Sequence, residues 1–269
     1  MTTIQLAFLG AGNMAEAIAR GILGAKVLAP DAMIAADPAQ GRRDLFRSAL
    51  GIATVEDNEA VVISAPVVLV AVKPQTFDKA IGPLGSRFGP EKLIVSICAG
   101  ISTAHVEQCV APGTRVVRAM PNTPMLVGRG MCGICRGSCA TDADLATASQ
   151  LLGAAAEILR VPENLMDAVT AVSGSGPAYF FYLAELLAKA GAELGLQEDD
   201  ARRLARVTFE GAARLMAQSN EEPDALRRKV TSPGGTTEAA LKAFDALGLP
   251  KVISEGVKAA RDRGRELGR

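Results

Sequence analysis

Apolar residues in the first half of the chain come in short, near-continuous runs. "IQLAFLG" (4–10), "AMIAAD" (32–37), "VVLVAV" (67–72) and "LIVSIC" (93–98) are bounded by Gly, Pro or Asp. "TRVVRAM" (114–120) and "GMCGIC" (130–135) continue the series. Runs of this length without alternation suit strands buried on both faces. Helical spacing intervenes, as in "NMAEAIARGILGA" (13–25), where Met14, Ala17, Ile18 and Ile22 share a face. Strands interleaved with helices predict βαβ units, hence a doubly wound, mostly parallel α/β sheet.

The pattern changes near residue 162. "GPAYFFYLAELLAKAGAELG" (176–195) is apolar on nearly all sides, which predicts a buried helix ending at Gly195. "EDDARRLARVTFEGAARLMAQ" (198–218) opens acidic, as a helix N-terminus favours, and stripes Leu204, Val207, Gly211 and Leu215 along one face. Helices over about 235–246 and 249–267 complete an all-helical half. The expected division is therefore a sheet domain over 1–162 and an all-α domain over 163–269. So apolar a helix in so small a half points to oligomerisation through it.

Composition narrows the chemistry. Lys plus Arg and Asp plus Glu number 29 each, so the net charge is zero and neither nucleic acid nor an anionic membrane is the expected partner. No run of 18 apolar residues exists, and "MTTIQLAFLGAGN" lacks a basic region followed by an apolar core and cleavage site. A cytoplasmic protein is expected. The five cysteines are odd in number; Cys132 and Cys135 form C-x-x-C with no second pair, which reads as reduced core thiols, with no metal site. The single histidine, His105, lies in "STAHVEQC" and reads as a partly exposed helix residue. One histidine leaves hydrolytic triads and most zinc sites without their usual side chain.

"GAGNMA" (10–15) directly follows a buried strand and opens a helix. That context gives G-x-G-x-x-A its meaning: Gly10 for the turn, Gly12 for backbone approach to a pyrophosphate, Ala15 for close packing of helix on strand. The anion would sit on the helix N-terminus. Asp37, ending the second strand, is placed for a ribose hydroxyl and favours NAD; Arg42 and Arg43 could instead hold a 2′-phosphate, and Asp37-Pro38 also suits a helix cap. "AVKPQ" (71–75) and "ICAG" (97–100) end strands on the rim where such sheets bind ligands. "MPNTP" (120–124), "SGSGPAY" (173–179) and "SPGGTT" (232–237) are uncharged, backbone-rich segments suited to cradling an anion with N–H groups and hydroxyls.

"FLGAGNMA", "AVKPQ", "ICAG", "RAMPNTP", "AVSGSGPAYFFY" and "VTSPGGTTEAAL" occur in an order and spacing that resembles pyrroline-5-carboxylate reductase, from about residue 4 to 267. The resemblance implies NAD(P)H-dependent reduction of 1-pyrroline-5-carboxylate to L-proline, the last step of proline biosynthesis. It implies a Rossmann domain and a helical domain that makes an intertwined homodimer, in many members assembled into decamers. The active site would include helices partly contributed by the other subunit.

By matching positions, the resemblance assigns Leu9, Gly10, Ala11, Gly12, Asn13 and Met14 to the pyrophosphate. Asn58 would contact the adenosine side; Ala71, Val72, Lys73, Pro74, Cys98, Ala99 and Gly100 would line the nicotinamide half. Ser173, Gly174, Ser175 and Gly176, with Gly234, Gly235, Thr236 and Thr237, would hold substrate. Thr237, with Ser232 and Ser175, supplies the candidate catalytic hydroxyls: Thr237 on the ring nitrogen, and amides around Gly235 and Thr236 on the carboxylate. One departure stands out. Many members carry Ser, Thr or Asn-Arg where this chain has Asp37 and prefer NADPH, and a carboxylate repels a 2′-phosphate.

The residue inventory suits an imine. A protonated imine already carries its proton, so hydride transfer needs no general acid and positioning supplies most of the catalysis. A hydroxyacid dehydrogenase would need a catalytic Lys on the first long helix of the second half, where Lys189 is the only candidate. A non-catalytic nucleotide binder would lack Ser173, Ser175, Thr236 and Thr237, all of which are present.

Overall fold

The computed structural model describes residues 3–267. Eight strands form one sheet: β1 (Leu6–Leu9), β2 (Met33–Ala36), β3 (Ala53–Val55), β4 (Val67–Val70), β5 (Leu93–Ser96), β6 (Arg115–Pro121), β7 (Gly130–Arg136) and β8 (Ala156–Arg160). Their order is β3-β2-β1-β4-β5-β6-β7-β8. Neighbours from β3 through β6 are parallel, β7 runs antiparallel to β6, and β8 is parallel to β7. The expected doubly wound sheet is present, with β3 and β8 added. β3 is three residues long and β8, "AEILR", carries two charged residues in five and is nowhere fully buried, so neither carries the signal of a doubly buried strand.

Alternation explains the apolar runs. Leu6, Phe8, Met33, Ala35 and Leu69 enter the core on one face, while Ala7, Leu9, Ala36, Val68 and Val70 enter the core on the other. Helices α1 (Asn13–Gly24), α2 (Gln40–Leu50), α3 (Asn58–Ser64), α4 (Phe77–Ile81), α5 (Thr103–Cys109), α6 (Asp142–Leu152) and α7 (Met166–Val169) complete the layers. Phe8 meets Phe46 of α2 edge-on, ring centroids 5.9 Å apart. Arg118 is a cation inside this sheet; it bonds Glu163 at 2.5 Å and Asp167 at 3.4 Å, so its burial is paired. Burial alone would raise the Glu163 carboxyl, but hydrogen bonds from Cys135, Arg118 and Thr103 outweigh it and hold it below its ordinary value.

The chain divides into two compact units. The first runs to Ser175 and includes the chain again from Ala260; the second is Gly176–Ala259. The second unit holds α8 (Gly176–Glu193), α9 (Glu198–Gln218), α10 (Pro223–Lys229), α11 (Thr236–Ala246) and most of α12 (Leu249–Leu267). α9 and α12 keep their expected bounds. The expectation that α8 is buried is overturned for the single chain. Only Gly176 of α8 is buried, and Phe180, Phe181 and Tyr182 are 60–70 % exposed. Inside this unit α8 has chiefly α9 to cover it, and they meet on small residues: a Cβ on Gly191 would lie 3.2 Å from the Ala201 Cβ. The large apolar side chains are left uncovered, as are Leu204, Val207 and Leu215 of α9. No helix among the described residues is long and apolar enough to cross a membrane.

Candidate nucleotide and substrate site

The carboxyl end of β1 is pinned on both sides. Ala71 N–H donates to Leu9 O, and Gly10 N–H to Ala36 O, each at 2.8 Å. Gly10 has φ +100°, and a Cβ there would stand 2.8 Å from Ala71 O, so only glycine fits. Gly12 differs. It caps α1 with φ −68° and ψ 179°, no side chain caps that helix end, and no atom lies within 4 Å of where its Cβ would be. The α1 amides therefore open onto empty space, the arrangement a pyrophosphate requires.

A cleft of about 520 Å³ lies there, and seven expected cofactor residues line it: Gly10, Gly12, Asp37, Asn58, Ala71, Val72 and Lys73. Leu9 and Ala11 are fully buried, so only their backbone can serve a ligand. Ala36 and Pro38, which flank Asp37, complete the wall together with Thr76, Lys79 and Ala80, which the sequence does not single out. Thr76 ends a 3₁₀ turn at Pro74–Thr76 that the Lys-Pro pair signals only in outline, and Lys79 and Ala80 follow on α4.

Asp37 has a structural duty as well as an exposed edge. Its Oδ2 accepts Ala11 N–H and its Oδ1 accepts Ala39 N–H, both at 2.8 Å. It does not cap α2, whose N-cap is Ala39. The alternative that Arg42 and Arg43 hold a 2′-phosphate is not what the structure shows. Arg42 Nε donates to Ala11 O at 2.6 Å and its guanidinium pairs with Glu16 at 2.8 Å. Burial would raise the Glu16 carboxyl, yet its bonds to Arg42 and Arg20 keep it lowered. Arg43 turns inward and donates to the Asp37 and Pro38 carbonyls. Arg42 thus ties α2 to the glycine turn and α1, Arg43 fastens the β2–α2 loop, and neither lines the cleft.

A second recess of about 280 Å³ shares Ala71 and Val72 with the first and adds Met14, Ile97, Met120, Asn122 and Gly174. Here Ile97, not Cys98, supplies the wall. Cys98 is one residue on, so its side chain faces the other way, and its thiol donates to Val72 O at 3.2 Å with its pKa pushed up to about 11, chiefly by burial. Ala99 and Gly100 do not line either recess.

Residues 170–174 form a π turn, in which Ser175 N–H donates to Thr170 O five residues back, at 2.8 Å. Such turns insert one extra residue into a helix and are frequent at functional sites. Asn122 holds this one: its Nδ2 donates to Ser173 O and Oγ, while its Oδ1 accepts Met131 N–H. Gly174 leaves room for Met120, whose Cε would be 2.4 Å from a Cβ there.

In "SPGGTT", Gly234 has φ +72° and its N–H donates to Glu238 Oε2 at 2.8 Å. Gly235 N–H donates to Ser232 O at 3.0 Å, closing the turn. The expectation that the Gly235 amide binds a carboxylate is thereby corrected: that amide is committed, and the first amides of α11 are those of Thr236 and Thr237. The helix expected over about 235–246 is α11, which starts at Thr236 with Gly235 as its N-cap.

The thiols are free, but two of the five are not core: Cys139 is exposed and Cys109 is half-buried. Cys132 and Cys135, three apart on a strand, face opposite ways and form no pair. Lys189, the residue a hydroxyacid dehydrogenase would need, is exposed and paired with Glu185 on its own helix at 2.6 Å.

Comparison with known proteins agrees with this geometry. The family model described as "Pyrroline-5-carboxylate reductase dimerisation" matches residues 163–267, and that described as "NADP oxidoreductase coenzyme F420-dependent" matches residues 5–100. The chain is 43% identical to a pyrroline-5-carboxylate reductase of Pseudomonas aeruginosa, covering 99% of this chain and 98% of that one. It is 39% identical to one of Arabidopsis thaliana, covering 98% and 96%. Among solved structures, a Coxiella burnetii pyrroline-5-carboxylate reductase superposes over 100% of both chains with TM-score 0.91 at 32% identity. A Plasmodium falciparum pyrroline carboxylate reductase with NADP bound does so at 0.87 and 27%, again over 100% of both.

Proposed function

The chain belongs to the pyrroline-5-carboxylate reductase family, and from that premise we propose that it reduces 1-pyrroline-5-carboxylate to L-proline with a nicotinamide dinucleotide, the last step of proline biosynthesis. The observation that carries this reading is full-length similarity to reductases of that substrate, together with a glycine turn whose Gly12 faces an open cleft. That cleft fits the dinucleotide, because the space a Cβ would fill at Gly12 is where backbone amides and a pyrophosphate meet.

When bound, the reduced nicotinamide supplies the hydride. The α1 amides and Gly12 hold the pyrophosphate, Asn58 and Asp37 the adenosine side, and Ala71–Lys73 with Ile97 the nicotinamide side. Ser173–Gly176 and Gly234–Thr237 are the segments assigned to substrate. The Thr237 hydroxyl accepts the N–H of the protonated imine, and the Thr236 and Thr237 amides donate to the carboxylate. Ser175 and Ser232 serve as further hydroxyls. These groups orient the imine and leave the proton inventory unchanged, so positioning is the main contribution.

Residues 1–162 form the cofactor-binding domain in this reading, and 163–269 the substrate-binding and dimerisation domain; the dimerisation match over 163–267 supports that boundary, while the compact units divide after Ser175. The dimerisation match and the exposed apolar faces of α8 and α9 support a homodimer through the helical half. Further assembly to a decamer and residence in the cytoplasm belong to the same reading; light scattering distinguishes dimer from decamer. The activity itself is tested with purified protein, pyrroline-5-carboxylate and either NADH or NADPH, which should lose the reduced-nicotinamide absorbance. No loss with either cofactor overturns the reading.

Asp37 makes a directional prediction. Its carboxylate faces the cleft and accepts a ribose hydroxyl in NADH, whereas a 2′-phosphate beside it is repelled. Asp37→Ser should raise the ratio of kcat/KM for NADPH over NADH by about tenfold or more, one to two kcal/mol of removed repulsion. An unchanged ratio would mean that Asp37 serves only to hold the Ala11 and Ala39 amides.

A further inference from the structure

His105 is not simply a surface helix residue. It lies on α5 four residues before Cys109, so both side chains leave the same face of that helix. Asp78 of α4 stands opposite them. His105 Nε2 is 2.6 Å from Asp78 Oδ1, and the Cys109 thiol is 3.8 Å from the same oxygen. One donor atom from each of the three lies within 4.8 Å of the other two. The His105 ring is steadied against Phe77, centroids 5.8 Å apart. The chain therefore brings together imidazole, thiol and carboxylate from positions 78, 105 and 109, although its sequence had offered no metal-binding pattern.

We propose that Asp78, His105 and Cys109 form a binding site for a thiophilic divalent cation of the zinc type, bridging α4 and α5. The donor set is the first argument. Nitrogen, sulfur and oxygen in one ligand set select zinc and its mimics over calcium or magnesium, which take oxygen alone. The spacing is the second. Zinc–N and zinc–O bonds of about 2.0–2.2 Å and zinc–S bonds of about 2.3 Å set donor separations of about 3.3–3.6 Å in a tetrahedron. Two of the separations, 2.6 and 3.8 Å, straddle that range, and the third lies within 4.8 Å, so side-chain shifts on the order of 1 Å complete the site. The electrostatics are the third. The printed partners of Asp78 are His105 and Cys109 alone, so no Lys or Arg of the described residues competes with a bound ion for its carboxylate. A divalent cation that takes the Cys109 sulfur displaces the thiol proton to solvent.

Three protein donors leave the fourth position to water. The site stands apart from the nucleotide cleft residues, although Asp78 directly precedes Lys79, which lines that cleft.

Cobalt(II) is the probe. Titrated into the reduced full-length protein, it should produce a thiolate-to-cobalt charge-transfer band that saturates at one ion per chain and disappears on adding zinc(II). Cys109→Ser should abolish the band, and His105→Ala should weaken binding at least tenfold. Asp78→Asn should weaken binding but keep the band. Cys139→Ser should change nothing; Cys139 is the exposed thiol and controls for adventitious binding. Absence of the band in the wild-type protein overturns the site, as does a band that survives Cys109→Ser or is lost in Cys139→Ser. The variants lie at or near the surface, and their melting temperatures without metal should match wild type, which separates loss of a ligand from loss of the fold.

Discussion

Gly12→Val should leave the protein folded and raise its dissociation constant for the reduced dinucleotide about 100-fold or more, a loss of roughly 2.7 kcal/mol or more. The reason lies in the contrast between two glycines of one turn. At Gly12 the backbone is in the extended region and nothing stands within 4 Å of a new Cβ, so the empty protein accommodates valine. Valine is a poorer N-cap than glycine by about 1 kcal/mol, which lowers the melting temperature by only about 2–4 °C. The side chain then occupies the space in which backbone amides meet the pyrophosphate. Gly10→Ala should do the reverse of separating these effects. Its φ of +100° and the 2.8 Å approach to Ala71 O put strain in the folded state itself, about 2 kcal/mol or more. Fluorescence titration of the cofactor beside a thermal melt reads both. Undiminished cofactor binding by Gly12→Val would mean that the dinucleotide does not cross the α1 N-terminus.

Thr237→Ala should lower kcat/KM for pyrroline-5-carboxylate about 10- to 100-fold, because a hydrogen bond to a charged partner contributes about 1.5–3 kcal/mol. Cofactor affinity should not change. Nor should stability fall, since Thr237 is in the first turn of α11, where alanine is the better helix former. Thr237→Ser keeps an oxygen in place and should recover most of the loss. Wild-type kinetics in Thr237→Ala would remove this hydroxyl from the ring nitrogen. A parallel loss of cofactor affinity would place it elsewhere in the cycle.

Much of the site was legible because its signals are local. Gly10, Gly12 and Asp37 are read from a strand, a turn and a helix that adjoin in sequence, and all three line one cleft. The bounds of α9 and α12 follow from an acidic start and a continuous helical pattern. What escaped the sequence depends on distant contacts. Nothing in "AADPAQGRR" shows that Arg42 would turn to Glu16 or Arg43 to carbonyls of its own loop. Ile97 replaced Cys98 because strand phase decides which of two neighbours faces the ligand. Asp78, His105 and Cys109 met because two short helices pack together, from residues nearly thirty positions apart. For α8 the sequence carried the right composition and the wrong conclusion. Its apolar surface reads as burial, but a single chain has too little material to supply it. Composition reports that a face will be covered; it does not report by which molecule.

The strand order also has a history in time. β1 lies between β2 and β4, yet β4 is made about sixty residues after it. On a growing chain, Leu6–Leu9 can pair with Met33–Ala36 early, while its other edge stays open until Val67–Val70 leaves the ribosome. Open apolar edges are where nascent chains stick to one another. Among the strands that end up paired on both sides, the one that carries the glycine turn thus waits longest for its second neighbour. Slowing translation between residues 36 and 67 would prolong that exposure without altering one contact of the finished protein.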